Sequence, residues 1–258
     1  MDIVVVVTGA STGIGAVLAE QLAREGASVV LVARRAEALQ EVAGRCGATA
    51  VPMVADMTVR ADVTRVVQDT IAHFGHIDVW VNNVGQGITR LPTELTDEDI
   101  DEMVRINVKS ALYGMQEVLP HFRARGRGHV INISSMLGRI PFALYRSAYN
   151  GAKHFLNALT ANFREEVKQT HPDIQFSLVS PGVVYTEFGL RARHGGTDSR
   201  TLPQGQPPEA VADVIVSVIR SRKPDVYTRA GARQMVLDYF GHLGEDPEAS
   251  ITAAPPAD

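Results

Sequence analysis

Ile3-Val4-Val5-Val6-Val7-Thr8-Gly9-Ala10-Ser11-Thr12-Gly13-Ile14-Gly15 opens the chain almost at its first residue. Ile3 to Val7 is a largely β-branched run, which suits a strand covered on both faces, as in a parallel sheet. Glycines at 9, 13 and 15 follow at GxxxGxG spacing. They permit a tight turn, close backbone approach to a phosphate, and close packing of the next helix on the strand. That helix should begin near Gly13, with Ile14, Val17, Leu18 and Leu22 on its buried side. Its N-terminal amides and positive dipole end would face an anion. A glycine turn alone is a weak signal, but a strand before it and a helix after it supply the context that phosphate binding needs.

Outward from that turn, strand and helix signals alternate. Strands are expected at Ser28–Ala33, Thr49–Val54, Asp78–Val81, His129–Ser134, Gln175–Ser180 and near Val226–Thr228. Helices are expected at Ala36–Cys46, Val59–Phe74, Asp97–Asn107, Ser110–Arg125, Ser147–Gln169 and Pro208–Ser221. Such alternation predicts an α/β fold, a single Rossmann-type doubly wound parallel sheet with helices on both faces. One domain over residues 1–243 fits the length, with a frayed acidic, Ala- and Pro-containing tail over 244–258. Glu187–Pro208 contains Gly, Arg and Pro without strong periodicity and reads as a long loop of the kind that covers sites.

Composition sets bounds. Apolar residues make up 45%, enough for a substantial core, and a net charge of −4 gives no reason to expect nucleic acid or an acidic membrane as partner. The single cysteine, Cys46, cannot form an internal disulfide and points to a cytoplasmic location. No signal peptide or membrane span is visible in the opening apolar run, which is too short. His73 and His76 flank Gly75 without a supporting Cys, Asp or Glu cluster, so no metal site is expected. Phe155, Leu159, Phe163 and Val167 form a stripe at helical spacing that suits core or subunit contact.

A second constellation lies mid-chain. Tyr149 precedes Lys153 by four residues, which puts a phenol and an ammonium on one helix face. Ser134-Ser135 ends the strand before it. A hydride moving to a carbonyl carbon leaves charge on the oxygen, so a proton donor must sit beside that oxygen. A free tyrosine titrates near pH 10, and a nearby ammonium favours the phenolate by roughly one to three units. Tyr149 is thereby the candidate acid/base and Lys153 its electrostatic tuner, with Ser135 as the hydrogen-bond donor to the reacting oxygen.

Taken in order, these motifs resemble the short-chain dehydrogenase/reductase family, in its group of about 250-residue enzymes. Thr8–Gly15 matches the family's TGxxxGxG, Asn82-Asn83-Val84-Gly85 its NNAG with Val84 for the usual Ala, and Pro181-Gly182 with Thr186 its PGxxxT segment. The resemblance implies a catalytic set of Asn107, Ser135, Tyr149 and Lys153, with Asn107 holding a water that feeds protons to Lys153. It also implies cofactor contacts from Gly9, Ser11, Thr12, Gly13, Ile14, Gly15, Asp56, Met57, Asn83, Val84, Gly85, Tyr149, Lys153, Pro181, Gly182, Val184 and Thr186. Tyr149 stands fourteen positions after Ser135, one more than the usual spacing. The extra residue is expected to bulge within 140–146, and Ser134 is the minor alternative for the functional hydroxyl.

The second strand runs into Ala33-Arg34-Arg35 with no carboxylate at its end, and Glu37 should turn to solvent within the following helix. Acidic residues there accept the ribose 2′-hydroxyl of NAD, whereas arginine accommodates the 2′-phosphate of NADP. Arg34, assisted by Arg35, therefore points to NADP(H). The expected activity is interconversion of a ketone or other carbonyl compound and a secondary alcohol. The substrate is a small molecule, and its pocket walls come from Gln86–Leu91, Met136–Tyr145, Val183–Tyr185 and the 187–208 loop. Met136, Leu137, Ile140, Phe142, Leu144 and Tyr145 give an apolar surface suited to a bulky substrate. Two other readings fit the same motifs: an NADP(H)-binding sensor or scaffold without turnover, and a dehydratase or epimerase. The family resemblance further implies a homodimer or homotetramer.

Overall fold

The computed structural model describes residues 1–248. The expected tail beyond 248 lies outside the described residues. Seven strands form one parallel sheet in the order β3-β2-β1-β4-β5-β6-β7. They are β1 (Val4–Thr8), β2 (Ser28–Ala33), β3 (Ala50–Val54), β4 (Val79–Asn82), β5 (Gly128–Ile133), β6 (Ile174–Ser180) and β7 (Asp225–Tyr227). The helices are α1 (Gly13–Arg24), α2 (Ala36–Cys46), α3 (Arg60–Phe74), α4 (Asp97–Val104), α5 (Ser110–Arg125), α6 (Ser147–Lys168), α7 (Pro208–Ser221) and α8 (Ala232–Gly241).

The valine run at the N-terminus explains both faces of the sheet. Successive strand side chains alternate, so Val5 and Val7 join the core under α1 and α7. Val6 points the other way, into the core beneath α3, α5 and α6 with Trp80, Phe122 and Phe176. Val5, Val6 and Val7 are all fully buried, and full burial of such a side chain contributes about 1.5–3 kcal/mol. Strand order reverses between β1 and β4, so the loops leaving Thr8 and Asn82 diverge at the carboxyl edge and leave a crevice there.

Two features depart from the expected elements. Asp97–Asn107 and Ser110–Arg125 are not separate helices: a π-helical turn at Arg105–Lys109 joins α4 to α5 in one rod. The Asn107 side-chain amide donates to the Met103 carbonyl at 3.1 Å, taking an acceptor that a regular helix would give to a main-chain N–H. The second feature is α8, absent from the sequence reading. Its buried Ala232, Val236 and Tyr239 pack on Met136 and Ile140. No helix among the described residues is long and apolar enough to cross a membrane.

Candidate active site

A cleft of about 1080 Å³ occupies the crevice at the carboxyl edge. The Gly9–Thr12 turn forms its floor. Gly9 and Gly13 have φ of +66° and +58°, the left-handed region that favours glycine. Gly15 answers a different need, because a Cβ there would lie 2.4 Å from the Gly9 carbonyl oxygen and 2.6 Å from Asn83 Nδ2. Asn83 fastens the turn from the neighbouring loop, donating from Nδ2 to Thr8 O and Gly9 O at 3.1 and 3.3 Å. No side chain caps the first turn of α1, so its N-terminal amides stay directed at the cleft beside Ser11, Thr12 and Ile14. An uncapped helix end over a glycine cradle fits a dinucleotide pyrophosphate.

The other expected cofactor residues line the same cleft: Arg34, Arg35, Asp56, Met57, Asn83, Val84, Gly85, Pro181, Gly182, Val184 and Thr186. The two arginines are used differently. Arg35 donates from Nη2 to Ser11 Oγ at 3.1 Å and Thr12 Oγ1 at 3.2 Å, closing over the glycine turn. Arg34 lies 3.8 Å from the Asp56 carboxylate and is largely exposed. Burial raises the Asp56 carboxyl, but hydrogen bonds from Thr58 and the charge of Arg34 and Arg105 outweigh it and hold it below the usual range. Burial and the neighbouring charge of Arg191 pull Arg35 down. Cations thus converge at this end, and Glu37 is exposed and turned away.

α6 presents Tyr149 and Lys153 on one buried face. Burial pushes the Tyr149 phenol up to about 12, against opposing pulls from a Ser135 hydrogen bond and the Arg146 charge. Lys153 Nζ sits 5.7 Å from the Tyr149 ring centroid and donates to Ile133 O at 2.9 Å. Burial lowers its ammonium to about 8. Two cations thus flank the phenol, Lys153 over its ring and Arg146 acting through its charge. Ser135 Oγ accepts the Leu137 N–H at 3.1 Å, which leaves its own proton free to donate. Ser134 is committed elsewhere, donating to Asn157 Oδ1 at 2.5 Å.

Asn107 reaches the site through the π-turn. Its Nδ2 donates to Gln86 O at 3.0 Å, and Gln86 N–H donates back to Oδ1 at 3.1 Å. A Cβ on Gly85 would lie 3.1 Å from Asn107 Oδ1 and 3.6 Å from Lys153 Nζ. Gly85 thus leaves room for Asn107 and Lys153 to face one space, behind the cleft rather than on its wall.

The substrate end differs from the expected apolar wall. Met136, Leu137 and Phe142 line the cleft, but Ile140 is fully buried against α8. Leu144 borders a separate hollow with Pro92 and His154, and Tyr145 lies outside both. The 187–208 segment is stitched down rather than loose. Arg193 N–H donates to Gly87 O at 2.9 Å, and Thr89 N–H donates to Arg193 O at 3.0 Å. Fully buried Asp99 takes Arg90 at 3.1 Å, His194 at 2.8 Å and also Arg193. Glu187 pairs with Arg191, and Phe188 lies edge-on to Tyr149 at 5.7 Å between ring centroids.

The sequence reading missed Arg146 and the Asp99 cluster. Arg146 carried a usable signal, because a cation entering the N-terminus of a helix opposes the helix dipole, and local conflicts of that kind mark functional sites. Asp99 gave little, since two of its partners, Arg193 and His194, lie about 95 residues away in sequence. His73, His76 and Cys46 behave as surface and filler groups. His76 pairs with Asp78, and burial raises the Cys46 thiol to about 11. No cluster of metal-binding side chains occurs among the described residues.

The short chain dehydrogenase family model matches residues 3–195. An uncharacterized oxidoreductase of Staphylococcus epidermidis is 36% identical over 196 residues, covering 74% of this chain and 84% of its own length. An uncharacterized oxidoreductase of Bacillus subtilis is 32% identical over 243 residues, covering 92% and 68%. Among solved structures, a short chain dehydrogenase/reductase from Burkholderia phymatum in complex with NAD superposes with a TM-score of 0.86 at 21% identity, covering 99% of this chain and 97% of its own. A metagenomic short-chain oxidoreductase in complex with NADP gives 0.72 at 31% identity, covering 87% and 95%.

Proposed function

Because the chain belongs to the short chain dehydrogenase family, we propose that it is an NADP(H)-dependent oxidoreductase that interconverts a carbonyl compound and a secondary alcohol. The observation that carries this reading is Tyr149: a buried phenol with Ser135 beside it, opening into the cleft that holds the glycine turn. A bound nicotinamide supplies or accepts the hydride at the substrate carbon. The chain does the rest. Gly9–Gly15 and the α1 amides hold the pyrophosphate, and Asp56 and Met57 border the adenine. Asn83, Val84 and Gly85 line the middle of the cofactor, and Pro181, Gly182, Val184 and Thr186 hold the nicotinamide amide. Arg34 and Arg35 take the 2′-phosphate.

Ser135 donates to the substrate oxygen, and Tyr149 passes its proton to that oxygen as charge develops there. The phenol carries its proton at neutral pH, as donation to a carbonyl oxygen requires. Lys153 returns a proton to Tyr149 from behind and is itself recharged by a water that Asn107 would hold. Half-exposed Phe155 on α6 is assigned to contact between copies of the chain, and the lone cysteine fits a cytoplasmic home. Turnover of a panel of ketones, aldehydes and alcohols, followed at the NADPH absorbance, tests the reading. Loss of absorbance with alcohol formed supports it. Binding without turnover makes the protein a sensor or scaffold, and product formed without net NADPH consumption makes it a dehydratase or epimerase.

A further inference from the structure

The arginines around the substrate end of the cleft are paired, with one exception. Arg191 pairs with Glu187, Arg200 with Asp198, and Arg90 and Arg193 with Asp99. Arg146 lines the same cleft as Tyr149 and is half-buried, yet no carboxylate stands within ion-pair distance of it among the described residues. The one hydrogen bond of its guanidinium among the described residues runs from Nη1 to Ile88 O at 2.9 Å. Room for the guanidinium is built in. A Cβ on Gly87 would lie 2.6 Å from Nη1, and one on Gly196 would lie 3.3 Å from Nη2. A partly desolvated cation without a counter-ion is costly, and burial depresses this guanidinium. An anion delivered by a ligand removes that cost.

We propose that Arg146 binds a carboxylate on the substrate, so that oxo acids and the corresponding hydroxy acids are preferred over neutral ketones and alcohols. This rests on the reading of the site as a carbonyl–alcohol oxidoreductase. Arg146 stands three residues before Tyr149 at the entry to α6. Both side chains line one cleft, so a carboxylate at Arg146 and a carbonyl at Tyr149 can belong to one small substrate. A planar guanidinium can grip both carboxylate oxygens, which fixes orientation as well as affinity. Phe188 supplies an apolar wall beside both groups: its ring lies edge-on to Tyr149, and the Cβ position of Gly87 is 3.1 Å from its Cε1.

The test uses the full chain with NADPH and 2-, 3- and 4-oxo acids, each paired with its methyl ester. The wild-type protein should reduce at least one acid with kcat/KM about tenfold or more above its ester, the scale of one charged contact. In Arg146→Gln that acid-to-ester ratio should fall at least tenfold, chiefly through KM, and Arg146→Lys should restore part of it. NADPH affinity and melting temperature report that the variants are folded. Esters reduced as well as acids, or an unchanged ratio in Arg146→Gln, would overturn the inference. Calorimetric titration of the acids into the protein–NADPH complex separates the two readings. Arginine-dependent binding without turnover sinks the proposed reaction and leaves the carboxylate site standing. Turnover of ketones with no arginine-dependent acid preference does the reverse.

Discussion

On the cofactor side of the cleft, the Gly9–Gly15 turn is held by main-chain contacts and by Asn83, a short side chain on the neighbouring strand's loop. On the substrate side, the 187–208 segment is held by ion pairs converging on Asp99 and by two main-chain bonds to the 87–89 strip. The first arrangement uses groups that hardly vary in position, because the sheet fixes them. The second uses long charged side chains that meet only when distant parts of the chain have folded. The two sides are also joined. Thr186 lies 3.3 Å from where a Cβ on Gly13 would be, and Arg191 acts on Arg35. The 187–208 segment therefore borders cofactor and substrate together, and shortening it should weaken binding of both.

Tyr149 stands between the two sides, and its removal has the largest expected effect. Tyr149→Phe deletes only the hydroxyl, so kcat should fall about 10²–10⁴-fold, the usual contribution of a positioned proton donor. NADPH affinity and melting temperature should hold, because neither side depends on that hydroxyl. A variant keeping more than about a tenth of wild-type kcat would remove Tyr149 from the chemistry.

The substrate side should break next. Asp99→Asn leaves Arg90 and Arg193 near an uncharged group, and weakening these partly exposed charged hydrogen bonds costs about 1–3 kcal/mol. Urea denaturation measures that loss, and limited proteolysis should show cleavage gathered in 187–208. The pH dependence has a definite sign. Burial raises the Asp99 carboxyl, but hydrogen bonds from Arg193, His194 and Thr96 outweigh it and hold it well below the usual range. A carboxyl depressed in the folded state stabilises above its unfolded value of about 3.9, and that stability is lost as pH falls below it. Wild type should lose stability on acidification below about pH 4 more steeply than Asp99→Asn. Parallel curves would deny Asp99 its anchoring part.

These differences track what the sequence made legible. The glycine turn, Asn83 and the Tyr149–Lys153 pair were readable because each rests on local spacing: a strand-to-helix turn, a strand end, one helical turn. Asp99 falls within the expected helix Asp97–Asn107, but local spacing carries no sign of the arginines that meet it. Ile140 reads as pocket wall because it is apolar and near Ser135. α8, the element that buries it, carries too weak a periodic pattern to announce itself. Arg146 was readable as a charge and unreadable as an unpaired one.

Glycine substitutions sharpen the contrast at a smaller scale. Gly15→Ala drives a methyl into the Gly9 carbonyl and Asn83, and overpacking of this kind costs about 1–3 kcal/mol. NADPH affinity should fall about tenfold or more with it. Gly195→Ala, on the substrate side, meets no atom within 4 Å and carries only the strain of φ +76°, about 1 kcal/mol. Its NADPH affinity should be unchanged. Thermal melts with and without NADPH read both, and equal losses would show that the cofactor side is no more tightly specified than the other.

Cofactor choice is the smallest effect and turns on how two adjacent arginines divide one task. Arg35 is fastened to Ser11 and Thr12 beside the glycine turn, where it would meet a 2′-phosphate in the proposed complex. Arg34 is exposed and drawn to Asp56 at 3.8 Å, a contact that a phosphate competes with. Arg35 is therefore the better-held partner, and Arg34 a second one that must leave Asp56 to serve. NADPH should bind about tenfold or more tighter than NADH if the contact is worth about 1.4 kcal/mol. Arg35→Ala should lose more of that preference than Arg34→Ala. Replacing Ala33 by Asp together with Arg34 by Ala should reverse it, since a carboxylate at the strand end accepts the ribose 2′-hydroxyl and repels phosphate. Fluorescence titration with both nucleotides measures each ratio. Equal wild-type affinity for NADH and NADPH would return both arginines to the role of surface charge, and with it the one part of the cofactor side that depends on long side chains.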